Sequence, residues 1–333
     1  MRAIVRAWRE LTSAARGGPG TGTLIACSGG ADSMALVVAL SRAGERERAG
    51  LVVGHVVHDL RSEGEAFADR DAVRALAASV ELAFVEASVF VRDAGENLET
   101  AARKARYRAL GELARRHGLG HVATAHHAED QLETMLMALV RGAGARGLSG
   151  MPERRAMGVG GDGRGGVLLV RPMLRATGIG KAVCRQICGD AGVAWREDAS
   201  NGDTSKLRSA IRHRILPELL AIRPAAAARA VEAASVLRDA QRLIDRRAGR
   251  VVRGGVLRSR LAGETAAVVG EVVRRLCMEA SGGVGADAWG RRAMGPVVRA
   301  IREGRPGVRI FTLRGVDIRI DERTVTASRK GTT

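Results

Sequence analysis

The run Thr23-Leu24-Ile25-Ala26-Cys27-Ser28-Gly29-Gly30-Ala31-Asp32-Ser33-Met34-Ala35-Leu36 constrains the chain more than any other stretch. Leu24 to Cys27 is a short apolar run of the kind a buried parallel strand shows, and from Met34 the apolar residues crowd as on a packed helix. Ser28 to Ser33 then sits where a strand ends and a helix begins. Such a junction offers free backbone N–H groups and the positive end of the helix dipole, so it attracts phosphate. Gly29 and Gly30 allow close approach, and the hydroxyls of Ser28 and Ser33 add donors. Asp32 would be repelled by a polyphosphate unless a divalent cation lies between them. The loop therefore predicts a nucleotide with Mg²⁺.

The alternative is a glycine turn with serine caps, which a lone Ser-Gly-Gly deserves more often than not. Six residues in strand-to-helix context go further. Neither the Walker spacing nor GxGxxG fits, but the run resembles the SGGxDS loop of the N-type ATP pyrophosphatases, the PP-loop superfamily.

Leu51–Val57 reads as a second buried strand, Glu63–Val80 as a helix, Leu82–Val89 as a third strand and Leu98–His117 as a long helix capped by Asn97. His121–Thr124 is a fourth strand, followed by a helix over Glu129–Val140. Strands alternating with helices predict an α/β fold with a doubly wound parallel sheet, its ligand at the strands' carboxyl ends. Ten glycines between 142 and 166 predict a mobile loop without regular structure. Val167–Val170 returns to strand and Ile179–Asp190 to helix. Beyond 204 come Ala-rich helices, a basic helix near Met294–Arg302 and alternating patterns that suggest a small sheet. The expected division is 1–203, a catalytic domain, and 204–333, a second, smaller, mostly helical domain. Val5, Trp8 and Leu11 fit one face of an amino-terminal helix packed on the first.

A net charge of +18 and a pI near 11.3 point to a polyanionic partner, most simply nucleic acid. Arg supplies nearly all of it, since Lys occurs only at Lys104, Lys181, Lys206 and Lys330. With three Trp, one Tyr and four Phe, stacking platforms for single strands are excluded, and base recognition falls to Arg and hydrogen bonds. Cys27, Cys184, Cys188 and Cys277 form neither CxxC nor a disulfide framework, which suits a reducing cytoplasm. No apolar run reaches membrane-spanning length.

Thr124-Ala125-His126-His127-Ala128-Glu129-Asp130-Gln131-Leu132-Glu133-Thr134 is the second informative run. Asp130 and Glu133, three apart in a helix's first turn, share a face beside the fourth strand's end. Dipole-favouring acids would explain each singly, but a pair facing the phosphate loop suits an ammonium or a metal. His126 and His127 cannot both face one ligand. Arg103, Arg106 and Tyr107 lie on one side of the Leu98–His117 helix, as a solvated stripe or as phosphate ligands.

SGGADS, NLETAARKARY, TAHHAEDQLET, RGAGARGLSGM, RPML and WREDASNGD, followed by Arg208, Ile211, Arg212 and Leu216-Pro217, occur in this order. Together they resemble the bacterial tRNA(Ile)-lysidine synthase family over most of residues 20–217. That family's reaction uses ATP to adenylate the wobble cytidine of an isoleucine tRNA with a CAU anticodon, then joins free L-lysine to C2. The resemblance implies ATP at Ser28, Gly29, Gly30, Ala31, Asp32 and Ser33, with Asp32 near Mg²⁺. It also implies that Asp32, Asp130 and Glu133 are catalytic, and makes Arg103, Arg106, His127, Arg141, Arg171, Arg208 and Arg212 candidates for substrate and phosphate contacts. Three motifs depart from the family pattern. His55-Val56-Val57-His58-Asp59-Leu60-Arg61 stands for HVDHGLR, Glu129 begins the usual DDQ, and Ser209 follows Arg208 where Asn is usual. The length also implies that the additional carboxyl-terminal domain of longer members is missing. Its partners would be the tRNA, free lysine, ATP and, as a homodimer, a second copy of the chain; a tRNA thiolase and a non-catalytic RNA binder are the other readings, but a thiolase would need cysteine pairs, and a pure binder gains nothing from acids in a cationic groove.

Overall fold

In the computed structural model the described residues are 1–13, 22–58, 63–90, 98–158, 166–196, 207–253, 256–282, 289–304 and 306–331. They form α1 (Arg2–Ser13), β1 (Thr23–Ala26), α2 (Ala31–Leu40), α3 (Glu45–Arg48), β2 (Leu51–His58), α4 (Glu63–Ser79), β3 (Ala83–Val89), α5 (Leu98–Arg116), β4 (His121–Ala123) and α6 (Ala128–Val140). Then come α7 (Ala145–Leu148), β5 (Arg154–Ala156), β6 (Leu168–Val170), α8 (Pro172–Arg175), α9 (Lys181–Asp190) and α10 (Leu207–Ala210), a π-helical turn at Ile211–Ile215, and α11 (Leu216–Ile222). The remainder is α12 (Ala226–Arg253), α13 (Arg258–Ala262), α14 (Ala266–Ala280), α15 (Arg291–Glu303), β7 (Arg309–Leu313), β8 (Val316–Ile320) and β9 (Val325–Arg329). No described helix is long and apolar enough to cross a membrane.

The chain packs as two units. One holds Met1–Glu133 and Met151–Val231; the other holds Thr134–Gly150 and Glu232–Thr333. The packing boundaries thus fall inside α6, at 150/151 and at 231/232.

The first unit is built on a six-stranded sheet in the order β3-β2-β1-β4-β6-β5. β1 is parallel to both β2 and β4, with Ile25 opposite Val53 on one side and Ala123 on the other. The chain winds outward from β1 through β2 to β3, and α5 then carries it back across to β4. The carboxyl ends of β1 and β4 thereby flank a topological switch point, where open α/β sheets leave a crevice. One face is covered by α1, α2, α4 and α9, around Trp8, Met34, Leu36, Leu76 and Ile187. The other is covered by α5, through Leu110, Leu113 and Ala114. The expected amino-terminal helix is α1: Ile4, Val5, Trp8 and Leu11 are buried, and Trp8 Nε1 donates to Thr23 Oγ1 at 3.1 Å.

One expectation needs correction. The 142–166 segment is not devoid of regular structure, because it contains α7 and β5, and β5 pairs antiparallel with β6 at the sheet edge. The other strand pairs of this sheet are parallel, the doubly wound arrangement expected. Gly142, Gly150 and Gly158 take positive φ (68°, 58° and 68°), so they terminate these short pieces instead of dissolving them. Part of that segment, 159–165, lies outside the described residues, as do Asn97 and most of the 195–203 segment.

In the second unit α12, α14 and α15 pack with a three-stranded antiparallel sheet, β7-β8-β9, around Val269, Val272, Val297, Ile301 and Ile318.

Candidate active site

β1 ends at Ala26 because the chain must turn there, and Gly29 supplies the turn with φ +90°. Gly30 is the N-cap of α2 without a side-chain cap. The first-turn N–H groups of α2 have no carbonyl one turn back, so the loop keeps its donors for a ligand. Ser33 is held within the loop. Its Oγ donates to Gly30 O at 2.9 Å, accepts from Ser28 N at 3.0 Å and lies 3.3 Å from Ser28 Oγ. The two serines thus brace the loop.

A cleft of about 740 Å³ opens above it, lined by residues 26–33, by His55, Val56, Val57 and Asp69, by Arg103, Arg106 and Tyr107, and by Thr124, His126 and Asp130. Lys181 and Arg185 of α9, Trp195 and Arg196, and Arg208, Arg212 and His213 complete it.

The acids converge under this cleft. His127 is fully buried, and its Nε2 lies 3.5 Å from Asp32 Oδ2 and 3.6 Å from Asp130 Oδ2. Burial opposes protonation of His127, but Asp130, Asp32 and Glu129 outweigh it and raise its pKa. Burial likewise opposes ionisation of Asp130, while His127, His126, the His127 N–H at 3.0 Å and Arg212 hold its pKa below the ordinary value. The imidazole between two carboxylates links the fourth strand's end to the phosphate loop.

Glu133 is 1% exposed. Arg208 Nε binds its Oε1, Arg212 Nε donates to its Oε2 at 2.9 Å, and Arg212 Nη2 lies 3.6 Å from Asp130 Oδ1. Both arginines come from α10 and the π-helical turn, where the widened backbone brings residues 208 and 212 onto one carboxylate. Glu133 itself lies behind the cleft wall. His126 bonds Thr124 Oγ1 through Nδ1 at 2.9 Å; burial first, then Arg171 and Arg103, push its pKa to about 3 against the pull of Asp130.

Among the arginines, Arg103, Arg106, Arg208 and Arg212 line the cleft. Arg171 is buried behind it, and Arg141 is exposed in the second unit. At the HVDHGLR departure, Val57 is an apolar part of the lining and His55 bonds Cys27 O at 2.8 Å; residues 59–62 lie outside the described residues.

Several residues escaped the sequence reading. Glu129, part of the altered DDQ, accepts Lys181 N at 3.0 Å and so caps α9. Asp69 of α4 sits beside Gly29 and pairs with Arg196 Nε at 3.0 Å, while Arg196 N donates to Gly29 O at 3.2 Å. Arg196 thus closes on the loop. Lys181 and Arg185 bring cations from α9. Among the described residues no group of three or more His, Cys, Asp or Glu side chains could hold a metal ion. Asp32, its side chain 36% exposed at the loop, is the carboxylate that would meet a divalent cation brought in with a nucleotide.

Comparison with known proteins agrees with this geometry. The PP-loop domain family matches residues 5–219. The tRNA(Ile)-lysidine synthase of Geobacter sulfurreducens is 39% identical over 72% of this chain and 49% of its own length. That of Salinispora arenicola is 40% identical over 80% and 78%, and that of Alkalilimnicola ehrlichii 36% over 70% and 49%. The chain spans about half the length of most curated relatives it matches. Among solved structures, the U34-tRNA thiolase NcsA from Methanococcus maripaludis with its [4Fe-4S] cluster superposes with a TM-score of 0.54. It covers 71% of this chain and 78% of its own at 13% identity, a likeness of fold alone. On matched length and identity together, this chain belongs to the tRNA(Ile)-lysidine synthase family of PP-loop proteins.

Proposed function

We propose that the protein is a carbon–nitrogen ligase that joins free L-lysine to C2 of the wobble cytidine of an isoleucine tRNA with a CAU anticodon, at the expense of ATP. The observation that carries this reading is the meeting of Asp32 and Asp130 on His127, at the switch point beside the phosphate loop. In the first step the cytidine O2 attacks the α-phosphorus, and the bond to the β-phosphate oxygen breaks to release pyrophosphate. In the second the lysine ε-amine attacks C2 and AMP leaves with the C–O electron pair. The first-turn N–H groups of α2 and the cations of α9 hold the phosphates. Asp32 would hold a Mg²⁺, which would neutralise the phosphate charge there. Asp130, kept ionised and lining the cleft, orients the lysine ammonium and accepts its proton. Glu133 joins it once the substrate loosens the grip of Arg208 and Arg212.

The basic 204–333 region, a tRNA-binding domain in this reading, grips the anticodon arm with Arg141 and the cleft arginines. The protein works in the cytoplasm, as a homodimer in the simplest case. A thiolase reading is disfavoured by the thiols themselves. All four are buried; burial raises Cys27, Cys188 and Cys277 to about 11 and Cys184 still higher, the opposite of a sulfur relay. The test is a nucleoside digest of tRNA incubated with the protein, ATP and labelled lysine. Label in a modified cytidine is expected; ATP–pyrophosphate exchange without label transfer would reject the ligase, and absence of both would leave an RNA binder.

A further inference from the structure

Three guanidinium groups gather at the chain's single tyrosine with no acid among them. Arg103 and Arg155 lie over the Tyr107 ring, 5.3 and 5.0 Å from its centre, and Arg103 Nη2 is 3.5 Å from the Tyr107 hydroxyl. Arg171 is 2% exposed; its Nη1 donates to Pro152 O at 2.5 Å, and its buried Nε–H has no partner. Among the described residues no carboxylate pairs with Arg103, Arg155 or Arg171. This is unlike Arg208, Arg212, Arg274 and Arg275, each of which holds a glutamate.

Like charges brought together and partly desolvated raise one another's energy unless a counter-charge joins them. Burial, and after it Arg155 and Arg103, lower the pKa of Arg171 against the pull of Tyr107. His126, pushed to about 3 beside this cluster, adds no further positive charge at neutral pH. Arg103, Tyr107 and His126 line the cleft, so a ligand there meets the cluster at Arg103 and Tyr107, with Arg171 buried behind them. Guanidinium forks and a phenol are suited to phosphate oxygens, which accept several donors at once.

We propose that Arg103, Tyr107, Arg155 and Arg171 form a second phosphate subsite of the cleft, distinct from the Ser28–Ser33 loop, with Arg155 of β5 as its outer arm. The ligand is a phosphate oxyanion. It comes either from the RNA backbone next to the modified base or from the pyrophosphate released in the first step; the RNA source rests on the function proposed above.

The experiment uses the full chain and Arg155→Gln, an exposed position, with Arg171→Lys as a charge-retaining check on folding by circular dichroism. The probes are an anticodon stem-loop RNA bound without ATP across about 50 to 200 mM salt, and inorganic pyrophosphate as a competitor of ATP. If the phosphate is the RNA's, Arg155→Gln weakens RNA several-fold and reduces the slope of log affinity against log salt by about one. If it is pyrophosphate, RNA binding stays put and pyrophosphate competes several-fold less well. A folded Arg155→Gln protein unchanged in both overturns the subsite. Neither readout requires lysine transfer, so a protein that makes no lysidine could still show the subsite, and one that makes it could still lack it.

Discussion

Glu133 and Glu271 are both buried, at 1% and 6% exposure, and both are held by arginines, yet they sit in opposite circumstances. Glu271 of α14 takes Arg274 at 2.7 Å and Arg275 at 3.0 Å from its own helix, and Arg146 of α7 at 3.1 Å. Arg146 also binds Asp245 Oδ1 at 2.5 Å, and Arg275 donates to Asp245 O at 2.8 Å. Within the second unit this network anchors α7 to α12 and α14. Glu133 takes its arginines from 75 and 79 residues away, and both of them line a cleft. An acid neutralised by cations that a ligand can reach can exchange partners; one sealed among its own helix's arginines cannot. Burial and pairing alone therefore do not separate a structural acid from a working one. What the partners face does.

The comparison can be broken first on stability. Glu271→Ala leaves three guanidinium groups around an empty position, and breaking a buried pair from one side costs about 3–5 kcal/mol. The expected result is a lower unfolding midpoint by calorimetry with ATP binding in the first unit retained. Loss of ATP binding at a temperature where the variant is still folded would show that Glu271 is not merely structural.

Glu133→Gln tests the other side. Lysine transfer should fall by roughly 10²–10³-fold, the scale of losing one charged group aimed at the reacting centre, while ATP–pyrophosphate exchange falls much less. Asp32→Ala should remove both. Equal losses of exchange and transfer in Glu133→Gln would make Glu133 a brace for Arg208 and Arg212.

Acid gives a smaller and more graded test. Burial works to raise the pKa of Glu271, but Arg274, Arg275 and Arg146 hold it at about 2, below the ordinary 4.5. A depressed carboxylate contributes its stability above the unfolded value and loses it as pH falls through the folded one. The contribution, about 3 kcal/mol at most, is therefore fully present above pH 4.5 and disappears towards pH 2. Glu271→Gln should flatten acid unfolding in that window, and an unchanged acid limb would contradict the pairing.

The same contrast explains what could be read from the sequence. Glu271, Arg274 and Arg275 are spaced for one helix face, and β1, α2, α5 and α6 follow from runs long enough to show a period. The meeting of Asp130 with Asp32 was legible because both lie at ends of strands that a doubly wound sheet must place side by side. β5 was not, since three residues carry no periodicity and its partner β6 begins only at Leu168. Arg208 and Arg212 were visible as candidates, but their grip on Glu133 joins residues 75 and 79 apart, which no local spacing connects. Arg155 and Arg196 reach their sites across the fold, and local spacing is silent about that.

A third acid sharpens the contrast within a single helical turn. Glu129 shares the first turn of α6 with Asp130, but its Oε1 accepts Lys181 N and so belongs to the closed kind. Gly180, the N-cap of α9, has extended backbone at φ −142°, which any residue can adopt, so its glycine is required by space alone. A Cβ there would overlap Glu129 Oε1. Gly180→Ala should therefore evict the cap, at about 1 kcal/mol for a lost N-cap bond, and shift the start of α9, which carries Lys181 and, one turn on, Arg185 into the cleft. A modest fall in Tm with a raised KM for ATP and an unchanged kcat is the expected pattern. A fall in kcat of the size expected for Glu133→Gln would mean that Glu129, too, acts on the substrate.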